Sequence, residues 1–342
     1  MTHKVFSVIK IFLLVIIPLA FNPHVFADNE YMGGYSIEGV PSDKQLDKNV
    51  SYFYLKENPK EKDKIYIKLI NSSNKEKKLN IKIVDANTND NGIIDYTGTL
   101  TNNKILKNPL TDVVHSENNV VSVPAKSSVE TPLIIKMPEQ RFNGVIMGGI
   151  LVSEENHVPK NNTGNIGNIY NYTIGLIVTN ENKIELFKNV SVELQSVSAK
   201  LSIGKKVVQA NILNSNPYIF SKAEVKGAVY NEDGKTKIKE HSLNNVSIAP
   251  YSALPFQIDW QKDDLKPGTY IFKGTVKTEE NTWSFEKKFE IKNTEAKKIN
   301  KESVFKVVLP IWFIYSGYLV IFINIIGSFY IFIRKLKKQG EA

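Results

Sequence analysis

An all-β exported region, built as two tandem β-sandwiches between a signal peptide and one membrane-spanning helix, is the architecture this sequence predicts. Apolar residues in its central part recur at every second position. Short polar turns interrupt them, and an uninterrupted apolar block stands near each end.

The N-terminal block follows Lys4 and Lys10, runs from Ile11 to Phe21, and ends in small-residue punctuation at Val25 and Ala27. That is the pattern of a secretory signal. The run is about half of the roughly 20 residues a helix needs to cross a bilayer, so residues 1–27 are expected to be a signal peptide cleaved near Ala27.

Along the central region, Ile65, Ile67 and Leu69 alternate with Tyr66, Lys68 and Ile70, and Leu79, Ile81 and Ile83 with Asn80, Lys82 and Val84. Phe256, Ile258 and Trp260 alternate with Gln257 and Asp259. A period of two reads as half-buried strands. Turns such as "NSSNKEK", "TNDNG", "NEDGK" and "KPGTY" separate them at the short intervals of an immunoglobulin-like sandwich. The halves also echo each other. "KIYIKLINSSNKEKKLNIKIVDA" answers "KVVQANILNSNPYIFSKAEVKGAVY", and "VVSVPAKSSVETPLIIK" answers "NVSIAPYSALPFQIDW" in the same order. One topology used twice is expected, as sandwiches over 31–155 and 168–293 joined by a polar linker at 156–167. The last strand of the first sandwich should be "RFNGVIMGGILVS".

A charged segment, 294–306, leads as a short helix or stalk to an uncharged stretch from Val307 to Ile333. That stretch would be roughly 40 Å long as a helix, enough to span. Trp312 and Tyr315 suit one interface, and Arg334, Lys335, Lys337 and Lys338 in the tail 334–342 suit the cytoplasmic side.

Composition narrows the function. The net charge of +9 is mostly targeting and topology: residues 28–303 carry 37 basic against 34 acidic residues, about +3. Nucleic acid is therefore not an expected partner. There is no cysteine, so the exported domains must hold together by core burial alone.

For catalysis, His115, His157 and His241 stand far apart. No nucleophile elbow, zinc-protease helix or phosphate loop is present. Adjacent carboxylates such as Glu154/Glu155 and Asp263/Asp264 would point to opposite faces of a strand. No enzyme activity and no cofactor are expected. "DANTNDNGIIDY", Asp85 to Tyr96, has calcium-loop oxygens, but its glycine comes two places late and position twelve is Tyr96. A tight turn at Asn91-Gly92 is expected instead. No metal site is expected.

Candidate contacts are few. Arg141 is the only arginine outside the tail, and its planar fork could take a carboxylate on this chain or on a ligand. Gly148 and Gly149 either serve strand geometry or floor a ligand groove. In "YFYL", Tyr52 and Tyr54 share one strand face and could stack sugar rings.

The stretch from "YSIEGVPSDKQLDKNVSYFYL" through "NIKIVDANTNDNGIIDYTG" resembles the N-terminal, peptidoglycan-binding domain of the WxL-interacting proteins of Gram-positive bacteria. "NIYNYTIGLIVTNENKIELFKNVSVELQSVSAKLSIGKKVVQANILNSNPYIF", with "SIAPYSALPFQIDW", resembles the family's host-binding domain. A similar Phe-x-Gly-x-Ile-x-Gly-Gly-Ile pattern occurs in the family, with Met147 here at a usually aliphatic position. The resemblance implies a non-catalytic, adhesive, membrane-anchored surface protein facing the wall. Its partners would be peptidoglycan, WxL-domain surface proteins and host extracellular proteins. The alternative is a structural or assembly scaffold for other surface proteins without direct glycan binding.

Overall fold

Strand-forming alternation appears in the structure where the sequence places it. The computed structural model describes residues 31–155, 170–305 and 310–339. The expected signal peptide (1–27) and linker (156–167) lie outside the described residues. The chain is mostly β, and packing divides it into two units. The first takes residues up to Asp85 together with Asn108–Ile184; the second takes Ala86–Lys107 together with the chain from Glu185 onward.

In chain order the first part holds β1 (Tyr35–Gly39), β2 (Phe53–Lys56), β3 (Lys62–Asn71), β4 (Lys77–Asp85), β5 (Asn87–Thr88) and β6 (Ile94–Asp95). After these come a single helical turn α1 (Leu110–Val113), β7 (Val114–Ser116), β8 (Val120–Val123), β9 (Ser127–Lys136), β10 (Ile146–Glu154) and β11 (Asn171–Thr179). The first unit has two sheets, ordered β1-β3-β9-β7 and β2-β11-β10-β4-β8. Only the β2–β11 pair among them is parallel. Ile65, Ile67, Leu69 and Leu133 from one sheet and Leu55, Leu79, Ile150, Val152 and Leu176 from the other share one buried apolar core.

The second unit holds β12 (Glu193–Ser202), β13 (Lys205–Leu213), β14 (Phe220–Tyr230), β15 (Lys237–Ile248), β16 (Ala253–Asp259), β17 (Gly268–Lys277) and β18 (Thr282–Ile291). Their sheets run β12-β13-β16 and β15-β14-β17-β18. The core is aromatic, with Phe220, Phe256, Phe272 and Trp260 buried in it. The helix α2 (Asn293–Glu302) buries Ala296 and Ile299 against this core. The segment expected as a short helix or stalk is thus a helix over Asn293–Glu302, and it closes the unit. The helix α3 (Ile311–Gln339) follows, and its stretch Ile311–Ile333 is long and apolar enough to cross a membrane.

The strand order repeats. β1-β3-β9 corresponds to β12-β13-β16, and β8-β4-β10-β11 to β15-β14-β17-β18, with β2 and β7 as extra edges in the first unit. Two departures from the expected boundaries follow. β11 pairs with β10 and β2, so it completes the first unit, as β18 completes the second. The β5–β6 hairpin, turned at Asn91-Gly92, packs within the second unit: Ser247 N–H donates to Gly92 O at 2.8 Å and Ala249 N–H to Thr88 Oγ1 at 3.0 Å. Neither feature shows in local sequence, because both are set by long-range pairing.

The echoing stretches meet at one buried asparagine in each unit. Asn71 ends β3, and its amide donates to the carbonyls of Lys75, Val123 and Pro124 at 2.8, 2.9 and 3.0 Å. Asn214 follows β13 and donates to Tyr218, Ile248 and Ala249 at 2.8, 3.2 and 3.2 Å. Their side-chain oxygens accept from Ser73 N–H and Asn216 N–H. At the corner each asparagine holds, Lys126 and Tyr251 both take a left-handed backbone, with φ of 51° and 53°. Each amide thus ties the arch between two sheets to the corner between the next two strands.

Truncation would strand two or three inward carbonyls, at about 1–3 kcal/mol for a buried unpaired group. Asn71→Ala should therefore lower stability by roughly 2–4 kcal/mol. Hydrogen exchange should show the loss concentrated in β3, β4, β8 and β9, and Asn214→Ala should do the same for β13 to β16.

Candidate binding surface

The loop between β9 and β10 carries Arg141. It is exposed and has no ion pair with a described residue. The loop itself is held from behind. Phe142 N–H donates to Asn180 Oδ1 at 3.0 Å, Gly144 N–H to Glu181 Oε1 at 3.0 Å, and Thr179 Oγ1 to Gly144 O at 2.8 Å. Asn180 also donates to Glu57 O at 2.8 Å, so the end of β11 ties the Arg141 loop to the end of β2.

At that same end lies a charge cluster that sequence reading missed. Lys44 Nζ sits 2.7 Å from Glu57 Oε2, 2.8 Å from Glu61 Oε1 and 3.1 Å from Asp63 Oδ2. Glu57 is fully buried, and its Oε1 has no hydrogen-bond partner. The run "ENPKEKD" shows the acids, but nothing local says that Lys44, upstream of β2, is their shared counter-ion.

Burial pushes the Glu57 carboxyl up to about 7, against the pull of Lys44. The Lys44 hydrogen bond, then the Asn58 N–H, hold Glu61 down at about 2. Burial works upward on Asp63, but the Lys64 N–H and Lys44 outweigh it and lower its pKa. Partial burial works against the Lys44 charge, yet its three carboxylate partners raise its pKa.

The tyrosine pair divides as its alternation requires. Phe53 and Leu55 enter the core, and Tyr52 and Tyr54 take the other face. Tyr52 is half-buried, while Tyr54 is buried at 7% exposure, which leaves its ring little surface for a sugar. Gln45 braces this strand, donating to Tyr52 O at 2.9 Å and accepting from Tyr54 N–H at 3.1 Å. A Cβ built on Gly175 would touch Tyr52 Cβ at 3.3 Å, and Gly175 stands directly opposite Gly149. The structure thus brings Tyr52 and Gly149 to one patch and leaves Arg141 on the loop beyond the strand end.

Gly148 has a different role. It alternates with core residues Ile146, Ile150 and Val152, and a Cβ there would run into the Val84 carbonyl oxygen and stand 2.6 Å from Leu110 Cδ2. The groove-floor expectation for Gly148 gives way to packing, since α1 plugs the sheet at this point. Gly149 is buried as well.

In the second unit, the outward side chains of β15-β14-β17-β18 line an open depression of about 900 Å³. Ala228, Ser242, Thr275 and Ser284 are its small floor; Lys226, Tyr230, Glu240, Lys273 and Glu286 are its polar rim. Lys273 lies 3.6 Å from Glu286 and 5.4 Å from the Tyr230 ring centroid. Among the described residues no group of three or more His, Asp or Glu could hold a metal ion. His115 and His241 fall in different units, and His157 lies outside the described residues. Trp312 and Tyr315 are exposed on the first turns of α3, and Arg334, Lys335, Lys337 and Lys338 belong to its last turns.

Two β units and a C-terminal apolar helix are the frame, and the family matches to two binding domains support a surface binding protein. Residues 35–154 match the model for "WxL Interacting Protein, peptidoglycan binding domain", and residues 161–301 that for "WxL Interacting Protein, host binding domain". The chain belongs to the WxL-interacting protein family.

No curated protein matches the chain. Among solved structures it is similar to the Pseudomonas aeruginosa CupB2 chaperone, at 14% identity over 66% of this chain and 91% of that one, with a TM-score of 0.27. The E. coli chaperone DraB gives 12% identity, 69% and 92% coverage, and a TM-score of 0.27. The Acinetobacter baumannii CsuC–CsuE pre-assembly complex gives 10%, 65% and 90%, with a TM-score of 0.30. Scores this low carry no argument about fold or function.

Two outcomes follow from this geometry. Gly148→Val should lower stability by roughly 2–4 kcal/mol, read by urea unfolding, because backbone and not a flexible side-chain end blocks the added atoms.

The charge cluster predicts a pH profile. Glu57's folded pKa, about 7, exceeds its ordinary 4.5. Its contribution is therefore complete below 4.5 and is lost as pH rises through 7. Glu61 acts in the opposite sense, contributing above 4.5 and losing that as pH falls toward 2. Thermal melts of residues 28–303 should peak at about pH 5 and decline toward about pH 8. Glu57→Gln should flatten the decline, and Glu61→Gln should soften the acid-side loss.

Proposed function

We propose that this chain is a non-catalytic, single-pass surface protein that binds peptidoglycan through its first domain and WxL-domain or host proteins through its second. The observation that carries this reading is the succession of the family's two binding domains and then an apolar helix of spanning length. Each unit is read as an immunoglobulin-like sandwich. The basic residues Arg334, Lys335, Lys337 and Lys338 beyond the span put the C-terminus in the cytoplasm and both domains on the wall side.

In the first domain the principal ligand contact is assigned to Arg141, with the half-buried Tyr52 as a separate contact further along the sheet. The guanidinium is exposed on a loop whose backbone is braced by Asn180 and Glu181, and a wall-peptide carboxylate would suit its fork. In the second domain the polar depression over Ala228 and Thr275 is the surface offered to a protein partner.

Sedimentation of residues 28–303 with purified peptidoglycan tests the first half of this reading. Binding should persist in a chelator. Arg141→Lys should weaken it several-fold with an unchanged melting temperature, because the charge stays while the planar fork is lost. Loss of binding in the chelator, or no sedimentation of the parent protein, would sink it.

A further inference from the structure

The hairpin between β12 and β13 turns on two residues, Ile203 and Gly204, with φ of 48° and 74°. Such turns favour asparagine, aspartate or glycine, because both residues must take the left-handed region. A β-branched residue there is a genuine outlier. Ile203 is also 92% exposed, the most exposed of the described large hydrophobic side chains. Folding of this unit gains nothing from isoleucine at this tip: the backbone resists it, and the side chain touches almost nothing.

The chain returns to this tip at the end of α2. Ser303 Oγ and Val304 N–H both donate to Gly204 O, at 3.0 and 3.1 Å. Val304 is 72% exposed and Phe305 43%. Lys205 Nζ lies 5.8 Å from the Phe305 ring centroid, and Lys301 is exposed one turn back along α2. Three exposed apolar side chains thus gather at one end of the second unit with lysines around them. This end is fixed to the body of the unit, because α2 buries Ala296 and Ile299 and because Asn300 exchanges two hydrogen bonds with Leu265.

Only the five residues from Lys306 to Pro310 separate Phe305 from Ile311, where the candidate span begins. Fully extended, that connection reaches at most about 20 Å. The headgroup region is roughly 5–8 Å deep on each side of the hydrocarbon. With α3 as the span, chain length keeps this apolar end within about 20 Å of the hydrocarbon edge, within reach of the headgroup region.

We propose that Ile203, Val304 and Phe305 form a second membrane contact, seated at the headgroup–acyl boundary of the outer leaflet, with Lys205 and Lys301 against lipid phosphates. The occupant is the bilayer and not a protein, on the strength of the short tether and the lysine-flanked apolar tip. The contact rests on the reading of α3 as a membrane span. It would brace the second unit against the membrane instead of leaving it on a free tether.

The absence of native cysteine makes the test direct. Single-cysteine variants of the full chain, Ile203→Cys, Val304→Cys, Glu280→Cys and Leu319→Cys, are labelled with an environment-sensitive fluorophore. They are reconstituted into phosphatidylglycerol-containing bilayers carrying headgroup or acyl-chain nitroxide lipids. Glu280 is exposed on the turn after β17, at the far end of that strand from α2 and roughly 30 Å away along it.

The expected result is a blue shift and strong quenching at 203 and 304 by shallow nitroxides and at 319 by deep ones, with 280 unaffected. If 203 and 304 behave like 280 while 319 is quenched, the span stands and the contact is overturned. Equal quenching at 280 overturns it too, since the tip would then have no special place. No quenching at 319 removes the span and the contact together.

Discussion

A buried amide holding a sharp arch to a sharp corner is the constraint on which each unit of this protein depends. A sandwich must pass its chain from one sheet to the other, and at each passage backbone carbonyls leave the ladder and turn inward. Unpaired, each would cost about 1–3 kcal/mol. Asn71 and Asn214 answer this need by supplying donors where no strand can. Because the amide binds both its own turn and the corner after β8 or β15, it fixes which strands become neighbours. The recurrence of the same clamp, with the same left-handed residue beside it, shows that the repeat is one of physical construction and not only of turn-rich composition.

The two units elaborate that frame differently. The first adds β2 and β7 at its edges and inserts the turn α1 above Gly148. Its added edge strand β2 carries Tyr54, follows directly on Tyr52 and leads into the Lys44 cluster. A fully buried glutamate with one unsatisfied oxygen is an expensive feature. Here it pins the upstream segment around Lys44 to the strand end that also supports the Arg141 loop. The second unit spends its additions on closure. It takes in the β5–β6 hairpin and seals its core with α2. For a protein without disulfides, these extra layers enlarge the area over which burial alone must act.

On the proposed reading, a binding protein tethered by one helix has to control how its domains meet the surface it stands on. Docking of α2 leaves a short connection between a rigid body and the apolar helix. The lysine-rimmed end of the second unit lies at that connection, whereas the polar depression over Ala228 lies on a sheet face. The proposed lipid contact and the proposed partner surface are therefore separate, so that one could be occupied without blocking the other.

Strand period, turn chemistry, the apolar stretch from Ile311 and the internal echo were all legible in the sequence, because each is written in residues close together along the chain. Family membership was legible for the same reason, through ordered short motifs. The inward face of Gly148, the burial of Tyr54 and the assignment of β11 to the first unit were not, since a period-two pattern says which residues share a face but not which strand lies beside it. Nor could "ENPKEKD" announce Lys44, or Ile203 announce Val304 and Phe305. Those groups meet only after strands from distant parts of the chain have paired, and the choice among pairings is made by the whole core and its two asparagine clamps.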